Sequence, residues 1–268
     1  MIHWIAGSPE LSAAVAASKQ ATCIFYENDY PSYTVNEKTQ KVIVTGHRTF
    51  EAAVLLSHKN PGNKIAVLNF ANAFCPGGGV TQGSGAQEES LCRCSTLYPL
   101  LFRKSLDDSF YKIHREMKTA KASDSLIYSE GVVICKTDDE YPKRLPADER
   151  VKVDVMTMAA PDLRSSANQY VDLIGEVAHM RDTELFAYHV KRAIHMLTVA
   201  ASKQVDDLVL GAFGCGAFHN DPEVMAKAYL TALQQFPRVF STVEFAVYCS
   251  PDKDENYQIF HRVLSPLF

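Results

Sequence analysis

The sequence predicts an α/β fold in which one sheet carries helices on both faces, and three observations lead to this prediction. Short apolar runs typical of buried strands alternate along the 268 residues with segments of helical period. Two of the apolar runs lead directly into glycine-rich turns that are followed by helix signals. No stretch rich in glycine, serine and proline divides the chain, which indicates a single domain. Periodicity alone does not separate this arrangement from a doubly wound sheet.

The first half of the chain opens with a helix signal. Ser8 is a capping serine, Pro9 suits the first helical position, and Glu10 adds an acid to the first turn. The elements predicted next are strands at 33–35 and 41–45, a helix capped by Thr49, and a buried strand at 65–68. Beyond a glycine-rich turn, apolar residues at helical spacing predict a further helix over Leu91, Cys94, Tyr98 and Leu101.

The second half continues the alternation of strands and helices. Residues 110–122 are predicted as a helix or lid segment, and residues 126–135 as a strand or hairpin. A strand over 151–160 ends at Pro161, and the segment 165–180 has no clear pattern. The remaining elements are a long helix from Thr183, a strand at 208–210, a helix opened by Asp221 and Pro222, a strand at 243–248 and a closing helix at 257–264.

Composition and charge limit the partners that we expect. Apolar residues make up 47% of the chain and charged residues 22%, as in ordinary globular proteins. The net charge of −4 provides no basic field for nucleic acid, so direct sequence-specific nucleic-acid binding is not expected. No apolar run is long enough to cross a bilayer, and the N-terminus lacks a secretory signal pattern. We therefore expect a cytoplasmic protein without membrane partners, and a nuclear location stays open.

The cysteines and histidines do not have the spacing of metal ligands or of a disulfide framework. The seven cysteines are an odd number at irregular spacing, which favours reduced thiols. Cys92 and Cys94 are closer together than zinc ligands usually are, and no two histidines show the zincin pattern. We therefore expect neither a metal site nor a cofactor.

The most informative stretch joins the central strand to the following helix. Two amides, Asn69 and Asn72, stand at the end of the strand, and three consecutive glycines follow at 77–79. Glycines let the backbone approach a ligand closely, and their N–H groups can hold a diphosphate. The next helix begins with Gln87, Glu88 and Glu89.

The adjacent acids Glu88 and Glu89 are the candidates for proton transfer. Neighbouring helical residues point about 100° apart, so the two carboxylates cannot converge like the facing pair of an ordinary glycosidase. One can face the reacting carbon while the other contacts a neighbouring hydroxyl. Burial and a neighbouring like charge favour the protonated form, whereas the helix N-terminus favours the ionised form. Acids in a first helical turn can also serve only to stabilise the helix dipole.

A second glycine-rich turn follows the strand at 208–210. Gly214, Gly216, Ala217 and Phe218 lie between this strand and the helix opened by Asp221. Backbone donors and the helix dipole suit an anionic diphosphate here. No base for thiol chemistry is evident near Cys215, which we interpret as a small packing residue.

Both stretches resemble one known family. Three glycines, a spacer of seven residues and then Gln87-Glu88-Glu89 resemble the signature of poly(ADP-ribose) glycohydrolases. The flanking residues 69–72 and 91–98 resemble the bacterial-type branch, and residues 210–222 give a second match in the right order. The resemblance implies a three-layer α/β/α macrodomain over residues 1–268 with a mixed central sheet. It also implies an N-terminal helical extension, about 1–30, that covers the adenosine end of the ligand.

The resemblance also implies an activity and a set of site residues. The implied reaction is hydrolysis of ribose–ribose O-glycosidic bonds in poly(ADP-ribose), releasing ADP-ribose through an oxocarbenium-like transition state. Glu89 matches the general acid/base, and Glu88 would orient the ribose hydroxyls. Asn72 matches a ribose contact and Phe218 a residue that packs on the ligand. The other predicted substrate-binding residues are Asn69, Gly77, Gly78, Gly79, Gln87, Gly214, Gly216 and Ala217. The implied partners are poly(ADP-ribose) or ADP-ribosylated proteins.

Two alternative functions stay open at this point. The first is a hydrolase that removes ADP-ribose from a protein side chain, such as arginine, or from a nucleic-acid adduct. The second is a module that binds ADP-ribose without cleaving it. The pair Glu88 and Glu89 argues against this second alternative, because a binding module needs the glycine loops but no buried acid.

Overall fold

The computed structural model describes residues 2–35, 37–117, 119–164, 180–250 and 252–268. Apart from Met180, the segment 165–180, for which the sequence gives no clear pattern, lies outside the described residues.

Seven strands of the described chain form one mixed sheet, in the order β1-β4-β5-β3-β6-β7-β2. Strands β1, β4 and β5 pair antiparallel, whereas β5, β3, β6, β7 and β2 run parallel to one another. The bounds are β1 Cys23–Phe25, β2 Lys41–Thr45, β3 Ile65–Ala71, β4 Leu126–Ile134, β5 Val151–Ala159, β6 Asp207–Leu210 and β7 Thr242–Ala246. The predicted mixed sheet is therefore confirmed.

Helices of the described chain connect these strands. Their bounds are α1 Ile2–Ala6, α2 Pro9–Ala21, α3 Thr49–Lys59, α4 Gln87–Cys94, α5 Tyr98–Leu101, α6 Lys104–Leu106, α7 Lys112–Met117, α8 Asp182–Ser202, α9 Pro222–Leu233 and α10 Glu255–Leu264. A π-helical turn, Asp107–Tyr111, joins α6 to α7, and single 3₁₀ turns occur at Val80–Gln82, Ala147–Glu149 and Ser265–Leu267.

Two apolar cores, one on each face of the sheet, produce three layers. Successive side chains of a strand point to opposite faces. Leu68 of β3 and Met156 of β5 therefore pack with α8, α9 and α10. Their neighbours Val67 and Val155 pack on the other face, with α2, α3, α4 and α5. Both faces of the central strands are buried, as parallel strands between two helical layers require.

Two predicted helix starts are confirmed by their capping hydrogen bonds. The Leu11 N–H donates to Ser8 Oγ at 3.4 Å. Asp221 accepts from the N–H groups of Glu223 and Val224 at 2.7 and 3.0 Å. The cap predicted at Thr49 is wrong, because Thr49 is already the first residue of α3.

Two other predictions need correction, and a third prediction that left two options open is decided. Residues 33–35 form no strand, and the Tyr33 ring instead stacks on Phe236 with centroids 5.6 Å apart. Of the strand or hairpin predicted over 126–135, the strand is confirmed over Leu126–Ile134, and Gly131 adopts φ +69° where its register shifts in a β-bulge. The helix predicted through Leu101 ends at Cys94, since Ser95 pairs with β4, and α5 begins separately.

No helix in the described ranges combines the length and apolar character needed to cross a membrane.

Candidate active site

The site lies where the carboxyl ends of the parallel strands meet at one edge of the sheet. The segments that follow β2, β3, β5, β6 and β7 all contribute to a cavity of about 640 Å³ there. This volume is in the range of small-molecule sites, and the position is the usual one for ligands of open α/β sheets. Of the predicted site residues, the cavity is lined by Asn72, Gly79, Gln87, Glu88, Glu89, Gly214, Gly216, Ala217 and Phe218.

Gln87 ties the first turn of α4 to the central strand. Its Nε2 donates to the carbonyl oxygen of Leu68 at 2.7 Å and to Thr49 Oγ1 at 3.0 Å. Its Oε1 accepts from the N–H of Phe70 at 2.9 Å. Both amide donors are thus used by the protein, so Gln87 fixes the two acids that follow it. Direct substrate binding by Gln87 stays a prediction.

Glu88 is buried beside the end of β3, with 3% of its surface exposed. Its Oε2 accepts from the N–H of Asn72 at 2.7 Å, and its Oε1 accepts from Asn69 Nδ2 at 3.3 Å. Burial raises the pKa of Glu88 from its ordinary 4.5 to about 8, although these hydrogen bonds oppose the shift. A pKa in this range favours the protonated, neutral form of Glu88 at pH 7.

This pKa predicts a pH-dependent stability. A carboxyl whose folded-state pKa is raised binds more protons in the folded protein, so stability falls as pH rises from about 4.5 to about 8. We expect Glu88→Gln to remove its share of this slope, at most about 1.4 kcal/mol per pH unit. Urea unfolding of both proteins at several pH values measures the difference. Equal slopes would show that Glu88 does not change its proton occupancy on folding.

Glu89 is 8% exposed and faces the cavity at the same helix end. The N–H of Gly79 donates to its Oε1 at 2.8 Å. One carboxyl oxygen is thus fixed by backbone, which leaves Oε2 as the oxygen able to exchange a proton with a bound ligand. The two adjacent acids have different surroundings, since Glu88 contacts the strand end and Glu89 contacts the glycine turn.

The glycines of the first turn make room for these carboxylates. A Cβ on Gly78 would overlap Glu89 Oε1 and would lie 3.1 Å from Glu89 Cδ and 3.2 Å from Glu88 Oε2. A Cβ on Gly77 would lie 2.7 Å from the Tyr98 ring. Both residues have positive φ, +55° for Gly78 and +70° for Gly77, which glycine tolerates best. Protein side chains thus fill the space beside Gly77 and Gly78, and Gly79 is the member of the three that lines the cavity. Ligand binding by the three glycines stays a prediction.

The two asparagines at the end of β3 have different positions. Asn69 is fully buried and donates to Thr157 Oγ1 at 3.2 Å as well as to Glu88. Its Oδ1 has no hydrogen-bond partner in the part of the chain that the structure describes. Asn72 lines the cavity, and its Oδ1 accepts from the N–H groups of Phe74 and Cys75 at 2.8 and 3.0 Å. Asn72 thus caps the turn, and its amide nitrogen is the group able to bind a ribose hydroxyl.

The second glycine-rich turn forms the opposite wall. Phe218 is stacked beneath Arg164, whose guanidinium carbon is 5.4 Å from the ring centre. Gly214 has φ +78°, which suits glycine. Burial raises the pKa of the Cys215 thiol, so this thiol stays protonated and is a poor nucleophile. Within the described ranges, no three His, Cys, Asp or Glu side chains are grouped as metal ligands.

Sequence reasoning missed the residues that follow β2 and β7. Arg48 lies over the ring of Tyr248, with 4.1 Å from guanidinium carbon to ring centre, and both line the cavity. His47 Nδ1 lies 3.1 Å from Oε1 of the buried Glu244. The available signal was that His47 lies just after one predicted strand and that Tyr248 ends another. The sequence did not show that β2 and β7 are neighbours, because the order of the strands is set by the tertiary structure.

Two further features concern the ends of the cavity. The Arg93 guanidinium, one turn beyond Glu89, donates to the carbonyl oxygen of Ser84 and fixes the loop before α4. Helix α2 packs on β4 and α5. Among the described residues, none that lines the cavity precedes His47. An adenosine cover formed by residues 1–30 stays a prediction.

Comparison with known proteins gives consistent results. The family model described as "Microbial-type PARG, catalytic domain" matches residues 6–137. The solved poly(ADP-ribose) glycohydrolase (PARG) of Deinococcus radiodurans in complex with ADP-ribose is 33% identical, with a TM-score of 0.78 over 95% of this chain and 98% of that chain. The enzyme of Thermomonospora curvata bound to the inhibitor ADP-HPD is 30% identical, with a TM-score of 0.78 over 93% and 88%. No curated protein sequence matches.

Proposed function

Because the chain belongs to the microbial-type poly(ADP-ribose) glycohydrolases, we propose that it hydrolyses the ribose–ribose bonds of poly(ADP-ribose) with Glu89 as general acid and base. The observation that supports this assignment is the position of Glu89 at the cavity wall, oriented by the Gly79 N–H. We also propose that the whole chain is one catalytic domain, since residues as distant as His47 and Phe218 line one cavity.

The first step breaks the bond between the anomeric carbon and the 2′-oxygen of the neighbouring unit. Protonated Glu89 gives its proton to this departing oxygen, so a neutral hydroxyl leaves and an oxocarbenium-like carbon remains. In the second step, the Glu89 carboxylate takes a proton from a water molecule while that water's oxygen bonds to the anomeric carbon. The products are free ADP-ribose and a shortened polymer, and Glu89 ends in its starting state.

Glu88 supports this cycle as a neutral hydrogen-bonding group. Its two oxygens already accept from Asn69 and Asn72, so the acidic O–H is available to a ribose hydroxyl. Asn72 and Phe218 would hold the distal ribose from either side, and the backbone of residues 214–217 would hold the diphosphate.

One assay separates this function from the two alternatives. The purified protein is incubated with poly(ADP-ribose), with arginine-modified protein and with serine-modified protein, and released ADP-ribose is quantified. Release chiefly from the polymer supports the proposal. Faster release from a mono-modified protein would identify a mono-ADP-ribosyl hydrolase, and binding without release would identify a binding module. The buried acid pair is the structural reason to expect release.

A further inference from the structure

The side chain of Asn220 holds together the loops that form one wall of the cavity. It is 2% exposed, and its Nδ2 donates to the carbonyl oxygens of Pro161, Gly214 and Phe218 at 2.8, 3.1 and 3.2 Å. The two N–H groups of this amide are thus shared among three carbonyl acceptors, which belong to the segments that follow β5 and β6. Gly214 approaches so closely that a Cβ there would lie 2.8 Å from this nitrogen.

A buried histidine on α8 fixes the orientation of this amide. His189 is fully buried, and its Nε2 lies 2.9 Å from Asn220 Oδ1. Because three carbonyls surround the amide nitrogen, the atom facing His189 is the oxygen, and Nε2 must carry the proton. Burial lowers the pKa of His189 to about 4, so the neutral ring keeps this tautomer near pH 7. Its Nδ1 has no partner, which makes the bond to Asn220 the ring's one hydrogen bond in the described chain.

The carbonyl of Phe218 is held from two sides by this arrangement. It accepts from Asn220 Nδ2 and also from the N–H of Leu163 at 3.0 Å. The N–H of Asn220 donates in turn to the carbonyl oxygen of Gly214 at 3.1 Å, which ties together the two ends of the loop 214–220. The amide of Asn220 therefore helps to set the position of Phe218, and His189 holds the oxygen of that amide while three carbonyls hold its nitrogen.

We propose that His189 and Asn220 are positioning residues for the hydrolysis, which hold the loop 214–218 so that its backbone and Phe218 place the ribose against Glu89. Neither side chain is among those that line the cavity, so both act through the loop. The proposal rests on the proposed function for its kinetic consequence, whereas its structural part is independent of the substrate.

The test compares two amide substitutions of the same histidine. In His189→Gln the amide nitrogen can take the place of Nε2 and donate to Asn220, whereas the shorter His189→Asn places its amide near the position of Nδ1. Both leave a polar group in the same buried site, so they share a general cost in stability. His195→Asn is the matched control, because His195 is a buried histidine of α8 that contacts the carbonyls of Asp124 and Asp29 instead.

We expect His189→Asn to lower kcat/KM on poly(ADP-ribose) by about 10- to 10²-fold, the scale of a misplaced substrate. ADP-ribose affinity should fall in parallel, whereas His189→Gln should recover most of both quantities. Hydrogen exchange at the amides of Leu163 and Asn220 should accelerate in His189→Asn relative to His195→Asn. Equal kinetics and equal exchange in the two His189 variants would overturn the proposal.

The two proposals fail in different ways. If the unmodified protein released no ADP-ribose from polymer, the proposed function would fail. The exchange rates and the ADP-ribose affinities of the variants would still decide whether His189 and Asn220 position the loop. If His189→Asn does not fold, His189→Gln still decides: near-normal ADP-ribose affinity and near-normal exchange at Leu163 and Asn220 support the proposal, and a loss of both relative to His195→Asn overturns it.

Discussion

Replacing Glu89 by glutamine is expected to lower kcat on poly(ADP-ribose) by at least about 10²-fold, the contribution of a positioned acid/base group. The amide can neither give a proton to the departing 2′-oxygen nor take one from water. It keeps the size of the carboxyl and an oxygen that accepts from the Gly79 N–H, which now donates to Oε1 at 2.8 Å. Affinity for ADP-ribose should therefore change little, and calorimetric titration alongside the kinetic assay measures both.

Glu149→Gln is the control for this prediction. It makes the same chemical change at an exposed residue of the Ala147–Glu149 turn, which does not line the cavity. This control should keep full activity. Near-normal turnover by the Glu89 variant would exclude Glu89 as the proton donor and would leave Glu88 and Asp138 as the remaining acids among the described residues that line the cavity.

Gly78→Ala is expected to reduce kcat by about 10²-fold, because a displacement of roughly 1 Å at a reacting group has effects of that size. The added methyl would overlap Oε1 of Glu89 and lie 3.1 Å from its Cδ, so the carboxyl must move. The backbone φ of +55° adds a cost of about 1–2 kcal/mol in stability. Turnover and urea unfolding are measured on the same preparation.

Gly83→Ala separates the effect of the clash from that of the backbone. Gly83 has φ +83° in the same loop, and a Cβ there meets nothing within 4 Å. The two variants should share the backbone cost in stability, to which Gly78→Ala adds the cost of the overlap with Glu89, whereas Gly83→Ala should keep nearly all of its turnover. Equal losses of kcat in both would mean that backbone strain, rather than the position of Glu89, limits the reaction.

Local patterns were sufficient to predict most of the fold. The helix starts at Ser8 and Asp221 depend on one side chain and on the N–H groups two or three residues beyond it, so they can be predicted from the sequence. The wrong predictions concern segments whose conformation depends on contacts with residues distant in sequence. Residues 33–35 have strand-like composition, but Tyr33 stacks on Phe236, and no strand forms.

The roles of the glycines could not be assigned from the sequence alone. Three glycines in a row indicate that something approaches the backbone closely, and sequence reasoning assigned that approach to a ligand. In the structure, the carboxyls of Glu88 and Glu89 and the ring of Tyr98 occupy the space at Gly78 and Gly77. Which atoms fill that space depends on how α4 and α5 pack against the turn.

The sequence by itself determined the alternation of strands and helices, the two glycine-rich turns and the acids at the start of α4, because these features depend on neighbours a few residues apart. The tertiary structure decided which loops share a wall, that His47 and Tyr248 join the cavity, and that His189 reaches Asn220. It also decided the difference between the two acids, since burial raises the pKa of Glu88 to about 8. Burial and strand order arise from contacts between distant segments, which local patterns do not encode.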